Sequence, residues 1–440
     1  MDLWIGMGIF LACVAGCMAG GLSLAWALVV GLFCFLVVGL HRGHPLRALL
    51  GMATAGVATS WRVLRILILI GLLGALWRAG GTVAFFVQAG VALITPRTFV
   101  LVAFLLPAVF CMAFGSSFGV VGTAGVIIMA IARSGGADLT VTAAAVMSGI
   151  YVGERLSPAS SAAALTAAVS GVDQREFQRE MWRTTPAPFL LSLAVYGALS
   201  WFFPIQQVDA QVLRALEEGF RLTWPTLLPA AALLVLPWLK VSAVGAIAVS
   251  CGLSALCAVA IQGMPVGELL RACALGYRAA LPELSDIMAG GGILSMANVV
   301  CIVVLSCSYS GIFDGTGLLR PVTSRVGRLV DRIGLFPTHV AVSLGTCALF
   351  CNQAVGIVMS AQLLGEEYRR RGIPPIQLAT NIGNSAINLA GLVPWAVASS
   401  VPLTTMEVGV GALPLSVYLF LVPLCHGLAL RRSDRRRAVG

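Results

Sequence analysis

The chain has 440 residues, of which 59% are hydrophobic and only 10% charged, and its mean hydropathy is +0.95. A soluble domain carries about 25% charged residues, so this chain has too few charges to coat a water-facing surface; a polytopic membrane protein is implied, and a secreted disulfide scaffold, a disordered chain and a nucleic-acid-binding domain are excluded. The net charge of +10 is almost all arginine set between apolar runs, with Lys240 the only lysine, which marks cytoplasmic loops and not a nucleic-acid partner.

In chain order, residues 1–40 form one apolar stretch, too long for one crossing of a ~30 Å core and interrupted at Gly20–Gly21, and they predict a helix pair. Residues 1–10 lack a basic n-region, so the first span is expected to stay as an anchor. Further spans are predicted over 62–78, 98–114, 117–132, 137–170 (broken), 186–203, 225–238, 241–261, 296–313, 338–365, 375–403 and 408–429, roughly ten to twelve crossings in all. Basic residues assign the 41–47, 171–183 and 320–332 loops, Lys240, Arg369-Arg370-Arg371 and the tail from Arg431 to the cytoplasm. The stretches 82–95, 204–211, 262–268 and 401–407 contain no Lys or Arg and go outside, which leaves both termini cytoplasmic. Most of the 12 cysteines lie in apolar runs and are expected to act as small buried residues. Cys13/Cys17 and Cys347/Cys351 stand at i,i+4, but none of the four histidines is near a pair in sequence, so no resident metal is expected.

The two halves resemble each other. Leu46-Arg47-Ala48 recurs as Leu270-Arg271-Ala272, 74–80 aligns with 311–317, Thr95-Pro96-Arg97-Thr98 with Phe336-Pro337-Thr338-His339, and Leu156-Ser157-Pro158 with Leu392-Val393-Pro394. The last three pairs are offset by 236 to 241 positions (156 to 392, 95 to 336). Equivalent loops differ in charge: 41–47 is basic and 262–268 is not, 82–95 is bare and 320–332 has four arginines, 171–183 has three arginines and the stretch from Glu407 none. Equivalent loops on opposite sides predict an inverted-topology repeat.

In such folds the site lies on broken helices near the midplane, and four segments fit. Residues 115–125 place Ser116, Ser117 and Thr123 among glycines inside an apolar run, the alternative being close small-residue packing. In 148–161, Pro158 breaks the helix, with Ser157 and Ser161 beside it. There Glu154 and Arg155 are charges in mid-span, functional candidates unless they face water. Residues 351–356 offer Asn352 and Gln353, whose carbonyls suit a cation or a polar solute as well as interhelical bonding. Asn381, Asn384, Ser385 and Asn388 fall at i, i+3, i+4 and i+7, one helical face that reads as cavity lining. Asp314 is expected at the interface, and Glu283 and Asp286 at an entrance or a solvated turn. No enzyme signature appears: no Gly-Lys-[Ser/Thr] follows 115–119, and Ser157 has no matching histidine segment. No cofactor is expected.

Five motifs stand together. A Gly-[Ser/Thr]-Ser-[Phe/Trp]-Gly-x-x-Gly-Thr-x-Gly run occupies 115–125; Ser-Gly-x-Tyr-x-Gly-Asp-Lys-x-Ser-Pro occupies 148–158, with Glu154-Arg155 in place of Asp-Lys. Gly-Gly-x-x-Ser-Met occupies 291–296, Tyr-x-x-Arg-Gly 368–372, and Pro-Trp is Pro394-Trp395. Over about residues 46–402 the chain thus resembles the NhaC-type Na⁺/H⁺ antiporters of the ion-transporter superfamily. It departs at acids: x-Ser-Asp-Thr-Thr-Asn is replaced by 159–164 with Ser161 at the acid, Gly-Asp-Gln by Cys351-Asn352-Gln353, and Glu-Asp-Ser-Gly by Gly383-Asn384-Ser385-Ala386.

The expected fold is all-α, a polytopic membrane protein of roughly 10–12 transmembrane helices in two inverted-topology repeats with broken helices at the midplane. The expected division is a helix pair at 1–40, repeats at 41–205 and 263–430, connecting helices at 206–262 and a basic tail at 431–440. The resemblance implies an inner-membrane Na⁺/H⁺ antiporter exchanging a monovalent cation for a proton. Glu154 would titrate, and Ser116, Ser117, Ser157, Asn352, Asn384 and Asn388 would supply neutral oxygens. The lost acids and the asparagine stripe keep open an ion- or proton-coupled transporter of a small organic solute, an amino acid or carboxylate. A non-transporting membrane subunit is a third class. A homodimer is compatible with the sequence, which does not fix the oligomeric state.

Overall fold

A computed structural model describes residues 2–439 apart from 21, 60, 94, 206–209, 237–238, 240, 280, 282–283, 285–287 and 318–319. Lys240, Glu283 and Asp286 therefore lie outside the described residues. Among the described residues the regular elements are all helical, as hydrocarbon requires of a chain whose backbone groups must be satisfied internally. One isolated antiparallel bridge joins Tyr277 and Gly290.

Four stretches are long and apolar enough to cross a membrane: Leu24–His41, Ser117–Ser134, Val244–Ile261 and Ile293–Thr316. Three bent pairs bring the number to 7: Leu64–Ala79 with Thr82–Ala89 at 67°, Gln174–Thr184 with Pro186–Phe202 at 48°, and Pro375–Leu392 with Val397–Thr405 at 50°. Shorter apolar helices, among them Phe99–Phe114 and Leu335–Phe350, account for the larger number of spans expected from hydropathy. The stretch 338–365 is not one span. It splits at Cys351–Asn352 into Leu335–Phe350 and Gln353–Arg370. The basic stretches expected as loops are the helices Gln174–Thr184 and Arg320–Ile333. The first buries Phe177 and Met181 on one face of an otherwise charged sequence, which hydropathy alone discards.

Small residues let the helices touch. Gly149 and Gly153 lie against the backbone of Phe99–Phe114, where added side chains would overlap Phe104 and Cys111. Gly56 of Leu46–Thr59, a helix outside the predicted spans, meets Gly311 of Ala297–Thr316 in the same way. Lipid offers no hydrophobic drive between helices, so this close approach of backbones supplies the packing. Helix boundaries also recur at one spacing. Phe99–Phe114 and Leu139–Leu156 have Leu335–Phe350 and Pro375–Leu392 as counterparts 236 positions on (99 to 335, 139 to 375).

Candidate functional site

Two places where broken helices cross gather most of the candidate residues. At the first, Phe99–Phe114 ends at Gly115 with φ +67°, a conformation glycine takes without penalty. Ser116 then caps the next helix, its Oγ accepting the Gly119 N–H at 3.2 Å. The second break presses on this one, since a Cβ on Gly115 would overlap the backbone of Ala159 and Ser160. Ser160 caps Ser161–Ser170 by accepting the Ala163 N–H and donates to the Glu154 carbonyl at 2.6 Å.

Glu154 sits 5% exposed on the last turn of Leu139–Leu156, and its carboxylate accepts the Ser117 backbone N–H at 3.1 Å. It faces a helix N-terminus, where free amides and the helix dipole favour an anion. The other buried carboxylate, Glu367, is bound by Arg371 Nε at 2.7 Å. Glu154 is thus the buried carboxylate without an ion pair among the described residues. Its neighbour Arg155 turns away. It donates to the Tyr418 hydroxyl at 2.8 Å, to Thr184 Oγ1 at 2.5 Å and to the Met181 carbonyl at 3.3 Å, at the C-terminal end of Gln174–Thr184. No carboxylate pairs it among the described residues.

The other candidates of this half are partly used by the backbone. Thr123 Oγ1 donates to the Gly119 carbonyl at 3.0 Å within a π-turn over Val121–Gly125. Ser157 Oγ accepts the Ala159 N–H at 3.2 Å. Ser161 is exposed, and the buried hydroxyls at this break are Ser157 and Ser160. Ser160 is the cap and Ser161 the first residue of the helix, with its side chain turned outward.

At the second crossing Cys351 takes φ +54°, and Asn352 caps the next helix by accepting the Ala354 N–H at 2.9 Å. The Cys351 carbonyl accepts the Val397 N–H at 2.8 Å, joining this break to the one before Val397–Thr405. Gln353 Nε2 donates to the Ile387 carbonyl at 2.8 Å. The expected single face from Asn381 to Asn388 is interrupted, because Pro375–Gly383 ends and Ala386–Leu389 begins around Ser385 at φ −127°, ψ −80°. Asparagine side chains there bond the backbone in competition with the helix. Asn384 Nδ2 donates to the Thr380 carbonyl at 2.8 Å, and Asn388 Nδ2 donates to the Gly383 carbonyl at 3.1 Å. Both side chains are 0% exposed, and neither Oδ1 has a partner. Buried polar atoms are rarely left so, and two orphan carbonyl oxygens on one bent segment can hold a cation or a polar solute.

Tyr151 joins the crossings. Its hydroxyl donates to the Ala398 carbonyl at 2.8 Å, and its ring fills the space beside Gly391, where a Cβ would meet it. No hydrogen bond links Glu154 to Asn384 or Asn388 among the described residues. Sequence reasoning passed over Ser160, Tyr151 and one further cluster. There Glu407 binds Arg78 at 3.1 Å and Arg133 at 3.2 Å, with Arg78 buried. Arg78 at the end of an apolar run was a usable signal; its partner 329 positions away was not.

The sequence profile of the Na⁺/H⁺ antiporter family matches residues 3–201 and 175–426. Among characterised relatives, the malate-2H⁺/Na⁺-lactate antiporter of Bacillus subtilis is 24% identical over 402 residues, covering 90% of this chain and 86% of that protein. The Na⁺/H⁺ antiporter NhaC of Alkalihalophilus pseudofirmus is 25% identical over 366 residues, 81% of this chain and 79% of that one. The arginine/ornithine antiporter ArcD of Halobacterium salinarum is 27% identical over 344 residues, 75% and 70% of the two chains. With a match across nearly its whole length and multiple apolar helices, the chain belongs to the Na⁺/H⁺ antiporter family and is a multi-pass membrane protein.

Proposed function

We propose that this protein is a secondary antiporter exchanging a monovalent cation such as Na⁺ for a proton, with Glu154 carrying the proton and the Oδ1 atoms of Asn384 and Asn388 helping to hold the cation. The observation that carries this reading is a buried carboxylate with no ion pair among the described residues, at the crossing of two broken helices. Such a group can alternate between a neutral acid and an anion that attracts a cation, because charge inside a membrane is tolerated only where it is compensated. Ser116, Ser117, Ser157, Asn352 and Gln353 line the two breaks and add polar groups. Family membership supports the same activity.

Two inverted repeats at 41–205 and 263–430, with 1–40 and 206–262 added to them, fit the recurrence of helix boundaries at one spacing and the opposite charge of equivalent loops. The arginine-rich stretches support a reading in which both termini are cytoplasmic and the membrane is the inner one. In proteoliposomes with an internal pH dye, adding Na⁺, Li⁺ or K⁺ against a proton gradient should evoke proton movement that Glu154→Gln abolishes. No response of the wild type to any of the three cations sinks the exchange.

A second reading, ion-coupled antiport of a small amino acid or carboxylate, is favoured by Arg155, a buried cation with no carboxylate partner among the described residues. The relatives named for organic cargo, at 24% and 27% identity, match about as well as relatives named for Na⁺ and H⁺, such as that at 25%, so identity does not separate the two readings. Uptake of labelled arginine or malate that survives Glu154→Gln but not Arg155→Gln would select the second.

A further inference from the structure

Away from both crossings, two arginines share one carboxylate. Arg78 lies at the end of Trp61–Ala79, Arg133 at the end of Val126–Ser134, and Glu407 just beyond Val397–Thr405. Glu407 Oε1 accepts from Arg78 Nη2 at 3.1 Å, and Oε2 lies 3.2 Å from Arg133 Nη2. Arg78 is 2% exposed; its Nη1 donates to the Gly74 carbonyl at 3.1 Å, and its Nε has no partner. Arg133 has an anchor of its own, a bond from Nη2 to the Met406 carbonyl at 2.8 Å. No second carboxylate pairs with either arginine among the described residues, so one positive charge stays uncompensated there. The space around the carboxylate is walled by glycine. Gly290 takes φ +126°, and a Cβ on it would overlap Glu407 Oε1. Glu407 is also the loosest member of the cluster. Its side chain is 38% exposed, against 3% for Arg78 and 12% for Arg133. Its backbone takes φ +58°, a conformation with a cost for any residue that bears a Cβ. When that side chain turns into water, both arginines keep their backbone contacts and face a seat shaped for a carboxylate.

We propose that Arg78 and Arg133 form a binding site for the carboxylate of an organic solute, in which Glu407 holds the place of the solute while none is bound. One carboxylate replaces another. The solute oxygens take over the two guanidinium contacts, Arg78 Nε gains an acceptor, and the Glu407 carboxylate is solvated by water. In the proposed topology the site lies at the outer mouth, beside stretches 82–95 and 401–407, which carry no Lys or Arg. Its residual positive charge draws anions toward that mouth and repels a small cation, so this is a station for organic cargo and not for Na⁺.

The inference deepens the second reading of the function and rests on it only in the transport arm of its test. The first arm follows thermal unfolding of the full chain in detergent with sodium malate, against sodium chloride and sodium sulfate at matched ionic strength. Glu407→Gln removes the resident competitor. A competitor that leaves the arginines free about a tenth of the time weakens apparent affinity about 10-fold. Half-saturating malate should therefore fall about 10-fold in this variant, and malate should recover its lowered unfolding midpoint. Arg133→Gln should raise half-saturating malate about 10-fold in the otherwise wild-type chain, a comparison that decides the matter even if Glu407→Gln does not fold. The proposal is overturned by a malate response that is absent, that chloride or sulfate reproduces, or that Arg133→Gln leaves unchanged. A response lost in Arg155→Gln but kept in Arg133→Gln moves the carboxylate to the other buried arginine and overturns it as well. In the transport arm, Arg133→Gln should raise the KM for labelled malate about 10-fold and change kcat by less than about twofold. If malate binds as expected but the wild type carries none, the second reading fails and this site stands. If malate is carried with a KM that Arg133→Gln does not move, the second reading stands and this site falls.

Discussion

At the first crossing the chain turns through Gly115 at φ +67° and is capped by Ser116; at the second it turns through Cys351 at φ +54° and is capped by Asn352. Both turns press against a second break, through Ala159 and Ser160 in one and Val397 in the other. The backbone is thus built twice, but the side chains are not. The first crossing carries a buried carboxylate on a helix N-terminus, and the second carries only amides, hydroxyls and thiols. The turn residues differ as well. Glycine takes the left-handed conformation freely, whereas a residue with a Cβ bears a cost of about 1–2 kcal/mol there. The Cys351 thiol lies 2.6 Å from the Tyr309 hydroxyl, an interaction that offsets part of that cost. Negative charge is therefore confined to one crossing, and under the proposed exchange the two crossings divide the labour between proton and cation.

The sharpest way to break this comparison is to neutralise its charged side. Glu154→Gln should reduce cation-driven proton flux by about 100-fold or more, while the protein stays folded because the amide oxygen can still accept the Ser117 N–H. Dye-reported flux beside a thermal unfolding scan separates the two effects. Next come the turn residues. Gly115→Ala adds a left-handed Cβ that collides with Ala159, and should cost about 2–4 kcal/mol. Cys351→Gly relieves strain and loses the Tyr309 contact, and should stay within about 1 kcal/mol of the wild type. Equal falls in unfolding midpoint for these two variants would show that the turns are not the asymmetric pair described above.

Smaller effects sharpen the second crossing. Asn388→Ala removes an orphan oxygen and should raise the half-saturating Na⁺ concentration about 10-fold, a change of about 1.4 kcal/mol. An unchanged cation dependence would remove Asn388 from the site. Glu407→Gln strands Arg78 and should lower the unfolding midpoint. Its cost should fall short of the ~3–5 kcal/mol of a fully buried pair, because the Glu407 side chain is 38% exposed. At the bottom of the scale, Arg369→Ala breaks a pair whose side chains are both 78% exposed and should change stability by less than about 0.5 kcal/mol.

The sequence alone determined that this is a helical membrane chain and which family it joins, because lipid permits few backbone solutions and the motif at 115–125 is long and contiguous. It also located the break near Pro158, since proline acts on the chain within a turn of itself. At 351–356 it singled out the polar residues but ran one span from 338 to 365 across them. Side-chain direction at those breaks was beyond it. Whether Ser160 or Ser161 faces inward depends on where the cap closes, and whether Asn381 and Asn388 share a face depends on a bend at Ser385 that no local rule requires. Partnerships were further still from reach. His426 finds Asn381 across 45 positions and Arg78 finds Glu407 across 329, so each pair exists only once the helices have packed. Local stereochemistry fixes where a helix stops, whereas the donor that meets an acceptor is decided by the close approach of helices at residues such as Gly149, Gly153 and Gly391, through contacts that single-sequence periodicity does not carry.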